Sequence, residues 1–172
     1  MVKIKSLFAL GIFTSLFLLS CVNKHSGNNR FDELNSTQQI NHWKFVLNVE
    51  DQNKKQAVAV DKHYLKATLY ISNVKAGKSL LYSLSDDVAD YETKYKYLSF
   101  GCEQNLYIKC KDEYVYPIGY VFEPSNGLST SERLVYKFQI DNKTYDKLMQ
   151  ASNATEYWYV DKLIGLGKIC FK

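Results

Sequence analysis

Residues 64–72 read Tyr64-Leu65-Lys66-Ala67-Thr68-Leu69-Tyr70-Ile71-Ser72. Small and aliphatic apolar side chains occupy every second position, and polar or amphipathic ones occupy the positions between them. Successive side chains of a β-strand point to opposite faces, so this stretch predicts a strand with one buried face. Residues 133–141 have a similar pattern, with an apolar row made of Leu134, Tyr136, Phe138 and Ile140. Strands of this kind must cover their apolar faces with another layer.

The rest of the chain after residue 30 divides into short segments, most of them of the same kind. Further strands are predicted at residues 42–49, 56–60, 79–85, 94–100, 105–110, 114–123, 156–161 and 168–171. Residues 31–41 are predicted to be a short helix or an irregular lead-in, and residues 86–92 a loop. Thr144 is predicted to cap one or two helical turns over residues 144–151. The sequence therefore predicts a single all-β domain over residues 31–172, a two-layer antiparallel β-sandwich of which the immunoglobulin-like arrangement is one form.

The N-terminus has the layout of an export signal. Lys3 and Lys5 precede Ser6–Ser20, a run of 15 residues without a charge. That run is shorter than the roughly 20 apolar residues that span a bilayer. Leu18, Leu19 and the small Ser20 lead directly into Cys21, and this ending resembles the lipobox of bacterial lipoprotein precursors. The resemblance covers residues 1–21 only.

The resemblance implies that residues 1–20 are removed and that the Cys21 sulfur receives a diacylglycerol. The new amino group then receives a further acyl chain, such as palmitate, and two or more chains hold a protein stably on a membrane. An ordinary secretory signal with an incidental cysteine, or an uncleaved membrane helix, are the alternatives. Residues 21–30 are polar apart from Val22 and are predicted to be a flexible tether.

Two features of the tether bear on location. The residue after Cys21 is Val22 rather than the aspartate that retains many lipoproteins at the inner membrane. The tether also has no acidic residue before Asp32, unlike the acidic cluster that surface-exposed lipoproteins often carry. By this resemblance, the protein is expected at the outer membrane, lipid-anchored and facing the periplasm.

Charge gives no reason to expect a nucleic-acid partner. The full chain of 172 residues has a formal net charge of +4, and removal of residues 1–20, with Lys3 and Lys5, lowers it to +2. Nucleic-acid binding requires a clustered basic face, and the sequence shows none.

Three cysteines follow the anchor, Cys102, Cys110 and Cys170. An exported protein meets an oxidising environment, and three cysteines allow three pairings with one thiol left over. If the strands run straight, Cys102 and Cys110 face inward and Cys170 faces outward. A Cys102–Cys110 disulfide is the favoured pairing, and three buried thiols are the alternative.

No pattern predicts a catalytic centre, a metal site or a cofactor. His25, His42 and His63 are far apart in the sequence and belong to no zinc-binding or metalloprotease motif. Asp86, Asp87 and Asp90 lack the spacing of a calcium-binding loop.

The middle third of the chain is unusually rich in tyrosine. Tyr107 has the opposite parity to Leu106 and Ile108 and is expected to face outward. Tyrosine is a large, rigid and amphipathic contact residue, so Tyr107, Tyr114 and Tyr120 form a candidate binding surface for an envelope protein or a glycan. The alternative is strand packing with phenol groups at the rim.

The expected function is therefore a non-catalytic binding or scaffold module in the cell envelope, held to the membrane through Cys21. An envelope enzyme with an unrecognised site, a lipoprotein subunit of a secretion machine and an immunity protein remain as alternatives.

Overall fold

The computed structural model describes residues 30–53, 61–126 and 128–172. The predicted signal, Cys21, the tether up to residue 29 and the predicted strand at residues 56–60 lie outside these ranges. The described strands are β1 (Glu33–Ile40), β2 (Trp43–Asp51), β3 (Lys62–Asn73), β4 (Leu106–Cys110), β5 (Glu113–Val115), β6 (Gly119–Glu123), β7 (Ser131–Asp141), β8 (Thr155–Asp161) and β9 (Gly167–Phe171). The α-helices are α1 (Leu80–Leu84), α2 (Val88–Phe100) and α3 (Asn142–Gln150).

The strands form two antiparallel sheets. One sheet has five strands in the order β1-β2-β3-β7-β6, and the other has four in the order β5-β4-β8-β9. The buried core lies between them, where the Phe45 ring meets Tyr159 at 6.2 Å and the Phe138 ring meets Tyr157 at 6.3 Å between centroids. The prediction of an all-β, two-layer antiparallel sandwich is confirmed. The strand order differs from that of an immunoglobulin domain, in which the third strand already belongs to the second sheet.

The prediction for residues 31–41 was wrong, because β1 occupies most of this stretch. β1 pairs with β2 from Glu33↔Glu50 to Ile40↔Trp43. The connection is a two-residue turn in which Asn41 has φ 57°, a left-handed conformation that asparagine tolerates better than most residues. β1 is an edge strand with mainly polar side chains, so pairing with β2, rather than hydrophobic alternation, makes it a strand.

The predictions of strands at residues 79–85 and 94–100, and of a loop between them, were also wrong. Residues 80–84 form α1, and residues 88–100 form α2 in place of the loop at 86–92 and the strand at 94–100. The Asp87 side chain caps α2 by accepting from the Asp90 amide at 2.8 Å, and Lys94 pairs with Asp90 one turn apart. Leu80 and Leu81 are both buried while Tyr82 is exposed, a pattern that a strand cannot produce.

The helix predicted at residues 144–151 exists with different bounds and a different cap. α3 begins at Asn142, and its N-cap is Asp141, whose Oδ1 accepts from the Thr144 amide at 2.9 Å. The hydrogen bonds that the Asp141 carboxylate accepts, chiefly the one from the Thr144 amide, lower its pKa. Across the described ranges, no helix is long and apolar enough to cross a bilayer.

The predicted Cys102–Cys110 disulfide is not formed, and both residues are buried free thiols. Cys102 lies in the turn before β4, where its carbonyl accepts from the Asn105 amide at 3.0 Å, whereas Cys110 ends β4. A five-residue strand separates its ends by about 13 Å, well beyond the roughly 7 Å that a disulfide tolerates between Cα atoms. The prediction failed because it treated the residues before Cys102 as a neighbouring strand.

Three tyrosines are fully buried in the core, Tyr136, Tyr157 and Tyr159. Burial raises their pKa values well above the ordinary value of 10.0, since a phenolate would lose its hydration. The Tyr157 hydroxyl donates to the Phe31 carbonyl at 2.7 Å. Within the described part of the chain, the Tyr136 hydroxyl has no hydrogen-bond partner.

These buried phenols predict alkaline unfolding. A pKa that is higher in the folded state than in the unfolded one contributes stability below pH 10, and that stability is lost as pH rises above this value. The denaturation midpoint is expected to stay level up to about pH 9 and to fall steeply above pH 10. Absorbance titration should show fewer than all 14 tyrosines ionising before unfolding. Ionisation of all phenols in a still folded protein would contradict this.

Candidate functional site

The outer face of the four-stranded sheet carries a cluster of large rings. Tyr107 on β4 lies opposite Trp158 on β8, and Trp158 lies opposite Cys170 on β9. Tyr114 and Tyr116 cover Tyr107, with ring centroids 5.8 and 5.6 Å from it. Tyr107 is therefore only 8% exposed on an outward-facing position, whereas Tyr114 and Tyr116 are 50% and 48% exposed. Burial also raises the pKa of Tyr107.

These rings form one side of a concave site of about 500 Å³, which we call the aromatic groove. Its other sides come from the end of α2, where Phe100 is 80% exposed, and from the β8–β9 connection. The side chains that line the groove include Phe100, Tyr107, Tyr114, Tyr116, Lys162 and Lys168. A concave volume of roughly 300–1,000 Å³ is typical of small-ligand sites.

The end of α2 is held in place by close contacts that require glycine. The Gly101 amide donates to the Tyr97 carbonyl at 2.6 Å, and a Cβ on Gly101 would lie 2.6 Å from the Tyr97 ring. The Tyr97 hydroxyl accepts from the Asn105 amide group at 2.9 Å, while the Asn105 carbonyl accepts from the Val160 amide at 2.7 Å. Burial raises the pKa of Tyr97 to about 12, so the hydroxyl stays protonated. The groove wall is thus fixed to β8 by hydrogen bonds.

Basic side chains predominate around the aromatic groove. Lys162 and Lys168 line it together with a single acidic residue, Glu103. Lys109 lies beside it, with Nζ 5.9 Å from the centroid of Tyr114 and 6.0 Å from that of Trp158.

The nearest acidic side chain on the same sheet face is already neutralised. Glu156 pairs with Lys172 at 2.5 Å and accepts from the Trp158 indole at 2.9 Å. Burial alone would raise the pKa of Glu156, but these two hydrogen bonds outweigh it and lower the pKa. Glu156 is therefore an ionised carboxylate that is paired with Lys172 and also lies directly opposite Lys109, so it offsets one of these two lysines and the other charge remains.

Of the three tyrosines predicted to form the binding surface, the structure brings together Tyr107 and Tyr114 but not Tyr120. Tyr120 lies on the core side of β6, where its ring packs 4.9 Å from Tyr136 and its hydroxyl donates to the Leu98 carbonyl. Burial raises the pKa of Tyr120 far above its ordinary range. The assignment of Tyr120 to this surface was wrong, because β6 belongs to the other sheet.

Cys102 lies behind the groove and has no catalytic partner there. Burial raises the pKa of its thiol to about 11, and its Sγ contacts the Tyr97 carbonyl at 3.7 Å. A protonated, buried thiol is a poor nucleophile. His63 stacks on Tyr145 at 3.5 Å between ring centroids and is not a partner of Cys102.

A second cluster of ionisable groups holds the start of the domain, and we call it the N-terminal clamp. Asp32 is fully buried and accepts from Arg30 Nε and Nη2 at 3.0 Å each. Tyr145 on α3 donates to Asp32 at 2.7 Å and lies 3.4 Å from the Asp51 carboxylate. Burial, followed by the hydrogen bond to Asp32, raises the pKa of Tyr145, which therefore remains a donor. His63 covers its ring.

The N-terminal clamp is suited to holding the chain rather than to catalysis. Arg30 and Tyr145 occupy the Asp32 carboxylate, so it is not available as a base. Phe31 packs on Tyr145 at 5.4 Å between centroids and accepts a hydrogen bond from Tyr157. No group of three histidine, cysteine, aspartate or glutamate residues in the described ranges has the geometry to hold a metal ion.

A larger concavity of about 620 Å³ lies on the outer face of the five-stranded sheet. Its exposed walls come mainly from Val121 and from the stems of Lys66 and Lys137, and Lys137 Nζ covers the Tyr64 ring at 5.0 Å from its centroid. Gln52 and Asn53 also line it, directly before residues 54–60, which the structure does not describe. We assign it no function.

Comparisons with known proteins found no matching family model, curated protein or solved structure.

Proposed function

We propose that this protein is a lipid-anchored, non-catalytic binding module of the bacterial cell envelope, and that its partner binds in the aromatic groove. The lipobox-like ending at Cys21 supports the anchor and the exported location. The aromatic groove supports the binding role. A two-layer sandwich provides a rigid support on which such a surface can be presented.

The observation that carries the proposal is the exposure of large apolar side chains around one concave site. Phe100 is 80% exposed, and Tyr114 and Tyr116 are each about half exposed. Contiguous exposed apolar groups at a surface mark binding sites, since leaving them in water is unfavourable. Aromatic rings are also the residues that most often dominate binding energy.

The arrangement of ionisable groups favours binding over catalysis. General acid–base chemistry needs converging groups with pKa values near the working pH. At the groove, burial raises the pKa values of Tyr107 and Cys102 and keeps both groups protonated at neutral pH. At the N-terminal clamp, Arg30 and Tyr145 already occupy Asp32. An envelope enzyme, a secretion-machine subunit and an immunity protein remain rival functions for the test below.

The test is site-specific photocross-linking in living cells. A benzophenone amino acid replaces Tyr116 in the groove or, as the matched control, Tyr82, a 53% exposed tyrosine on α1 away from the groove. A reproducible adduct is expected at position 116 and not at position 82. Absence of any adduct at position 116, whether protein or glycan, would contradict the proposal.

Truncation of the exposed rings should weaken the same interaction. Loss of a central aromatic contact costs about 2 kcal/mol or more, which corresponds to roughly 30-fold in affinity. Tyr114→Ser and Tyr116→Ser are expected to reduce capture with only a small fall in the melting temperature, which comes from the uncovering of Tyr107, while Tyr82→Ser leaves capture unchanged. Tyr120→Ser is expected to lower stability instead, because it removes a buried hydroxyl that donates to Leu98. Normal capture by both groove variants would argue against the surface.

A further inference from the structure

We propose that the aromatic groove binds a peptidoglycan strand, with sugar rings against Tyr114 and Tyr116 and ligand carboxylates against Lys162 and Lys168. This inference rests on the proposed function and names the class of partner. Shape, charge and position relative to the anchor each support it.

The shape of the site favours a thin chain over a protein surface. A stable protein–protein interface buries about 800 Å² on each partner and is commonly broad. The aromatic groove is instead a concavity of about 500 Å³ between the end of α2 and the β8–β9 connection. A short length of a linear glycan fits such a concavity.

The ring surfaces and polar groups suit sugar residues. Tyr114 and Tyr116 are each about half exposed, so each offers an apolar ring and a hydroxyl to the same ligand. Gln104 and Glu103 line the opposite side and add hydrogen-bonding groups for sugar hydroxyls and acetamido groups. An apolar face with a few polar groups at its edge is the usual composition of a small-ligand site.

The charge of the site favours an acidic glycan over a neutral one. Lys162 and Lys168 are exposed and line the groove, and Lys109 adds a third cation beside Tyr114. Glu103 is the one acidic residue among the described lining residues, and Glu156, which lies opposite Lys109, is shared between Lys109 and Lys172, so positive charge remains in excess. A concentration of one charge sign in a cleft raises the local concentration of the opposite sign. The stem peptides of peptidoglycan carry free carboxylates, and a lactyl group carries one where its peptide has been removed.

The groove lies at the far end of β8 from the point where the chain enters the domain. The chain enters at Arg30, beside α3, and the end of α3 contacts the start of β8 through Thr155, whose hydroxyl donates to the Ala151 carbonyl at 3.1 Å. The groove lies at the other end of β8, at Val160. Thr155 and Val160 are about 16 Å apart along the strand. The proposed anchor therefore enters the domain at the end away from the groove.

The experiment measures co-sedimentation of the full lipoprotein, in detergent, with three insoluble probes. These are purified peptidoglycan sacculi, sacculi whose carboxylates have been converted to amides, and chitin as a neutral glycan. Binding to untreated sacculi is expected to be about tenfold tighter than to either other probe. This binding should weaken as salt rises, because part of it is electrostatic.

Variants then locate the site. The double substitution Lys162→Gln and Lys168→Gln, and separately Tyr116→Ala, are expected to weaken sedimentation with sacculi about tenfold. Lys137→Gln is the matched control, an exposed lysine on the other sheet, and is expected to bind normally. An equal loss with Lys137→Gln would indicate nonspecific charge attraction and overturn the assigned site.

The outcomes separate this inference from the proposed function. Equal binding to sacculi, amidated sacculi and chitin would overturn the acidic ligand. No sedimentation with sacculi, together with a discrete protein adduct from position 116, would overturn the peptidoglycan partner and leave the binding module in place. Absence of both sedimentation and adduct would overturn both.

Discussion

Replacement of Cys21 by alanine is expected to remove the protein from the membrane fraction completely. Under the proposed function, the Cys21 sulfur is the attachment atom for a diacylglycerol, and alanine offers no such atom. The run Ser6–Ser20 is too short to span a bilayer in place of the lipid, since a span needs roughly 20 residues. Two or more acyl chains hold a protein stably, so their loss changes location entirely rather than by degrees.

The measurement combines metabolic labelling with a fatty acid and fractionation of the cells. Label and membrane retention should both disappear in the Cys21→Ala variant. Cys170→Ala is the matched control, because Cys170 lies on the outer face of the four-stranded sheet and far along the chain from the signal. Unchanged labelling and retention in Cys21→Ala would exclude the lipoprotein assignment.

The largest loss of stability is expected from Phe138→Ala. Phe138 on β7 is fully buried and meets the Tyr157 ring of the other sheet edge-on, at 6.3 Å and 82° between planes. Truncation removes apolar contact and leaves a cavity between the sheets, which costs about 3–5 kcal/mol. Since a domain has about 5–15 kcal/mol of stability, the melting temperature should fall by roughly 10 °C.

Chemical denaturation of both forms measures this loss. Gln139→Ala is the control, because Gln139 is the next residue on β7, faces away from the core and should change stability by about 0.5 kcal/mol or less. A loss below about 1 kcal/mol for Phe138→Ala would show that the two sheets are not packed against each other at this point.

The sequence pattern alone was sufficient to predict a strand where one face of that strand is buried and the other is exposed to solvent. β3 and β7 are clear cases, because Leu65, Leu69, Leu134 and Phe138 lie on alternating positions and each is fully buried. The outward position of Tyr107 follows from the same parity. The sequence also contained a usable turn signal at Asn41, whose positive φ allows the β1–β2 hairpin, but the polar side chains of β1 obscured it.

The region from residue 79 to residue 100 was predicted wrongly, because its short aromatic segments fit both the strand period and the helix period. Tyr95 and Tyr97 alternate with lysines as in a strand, but Tyr91, Tyr95 and Leu98 recur at the spacing of a helix. Asp87 and the Asp90–Lys94 pair favour the helix locally. This error placed Phe100 in a false strand and gave Cys102 an inward direction by the parity of that strand, so neither the exposed Phe100 nor the separation of Cys102 from Cys110 was foreseen.

The sequence by itself determined the all-β class and the strands whose apolar residues alternate, because each depends on residues close together in the chain. Only the tertiary structure decided which distant side chains share a surface. It placed Lys162 and Lys168 beside Tyr114 and Tyr116, and Tyr120 in the core. The physical reason is that strand pairing and sheet membership depend on the burial of the whole core, and local periodicity carries no information about which strands become neighbours.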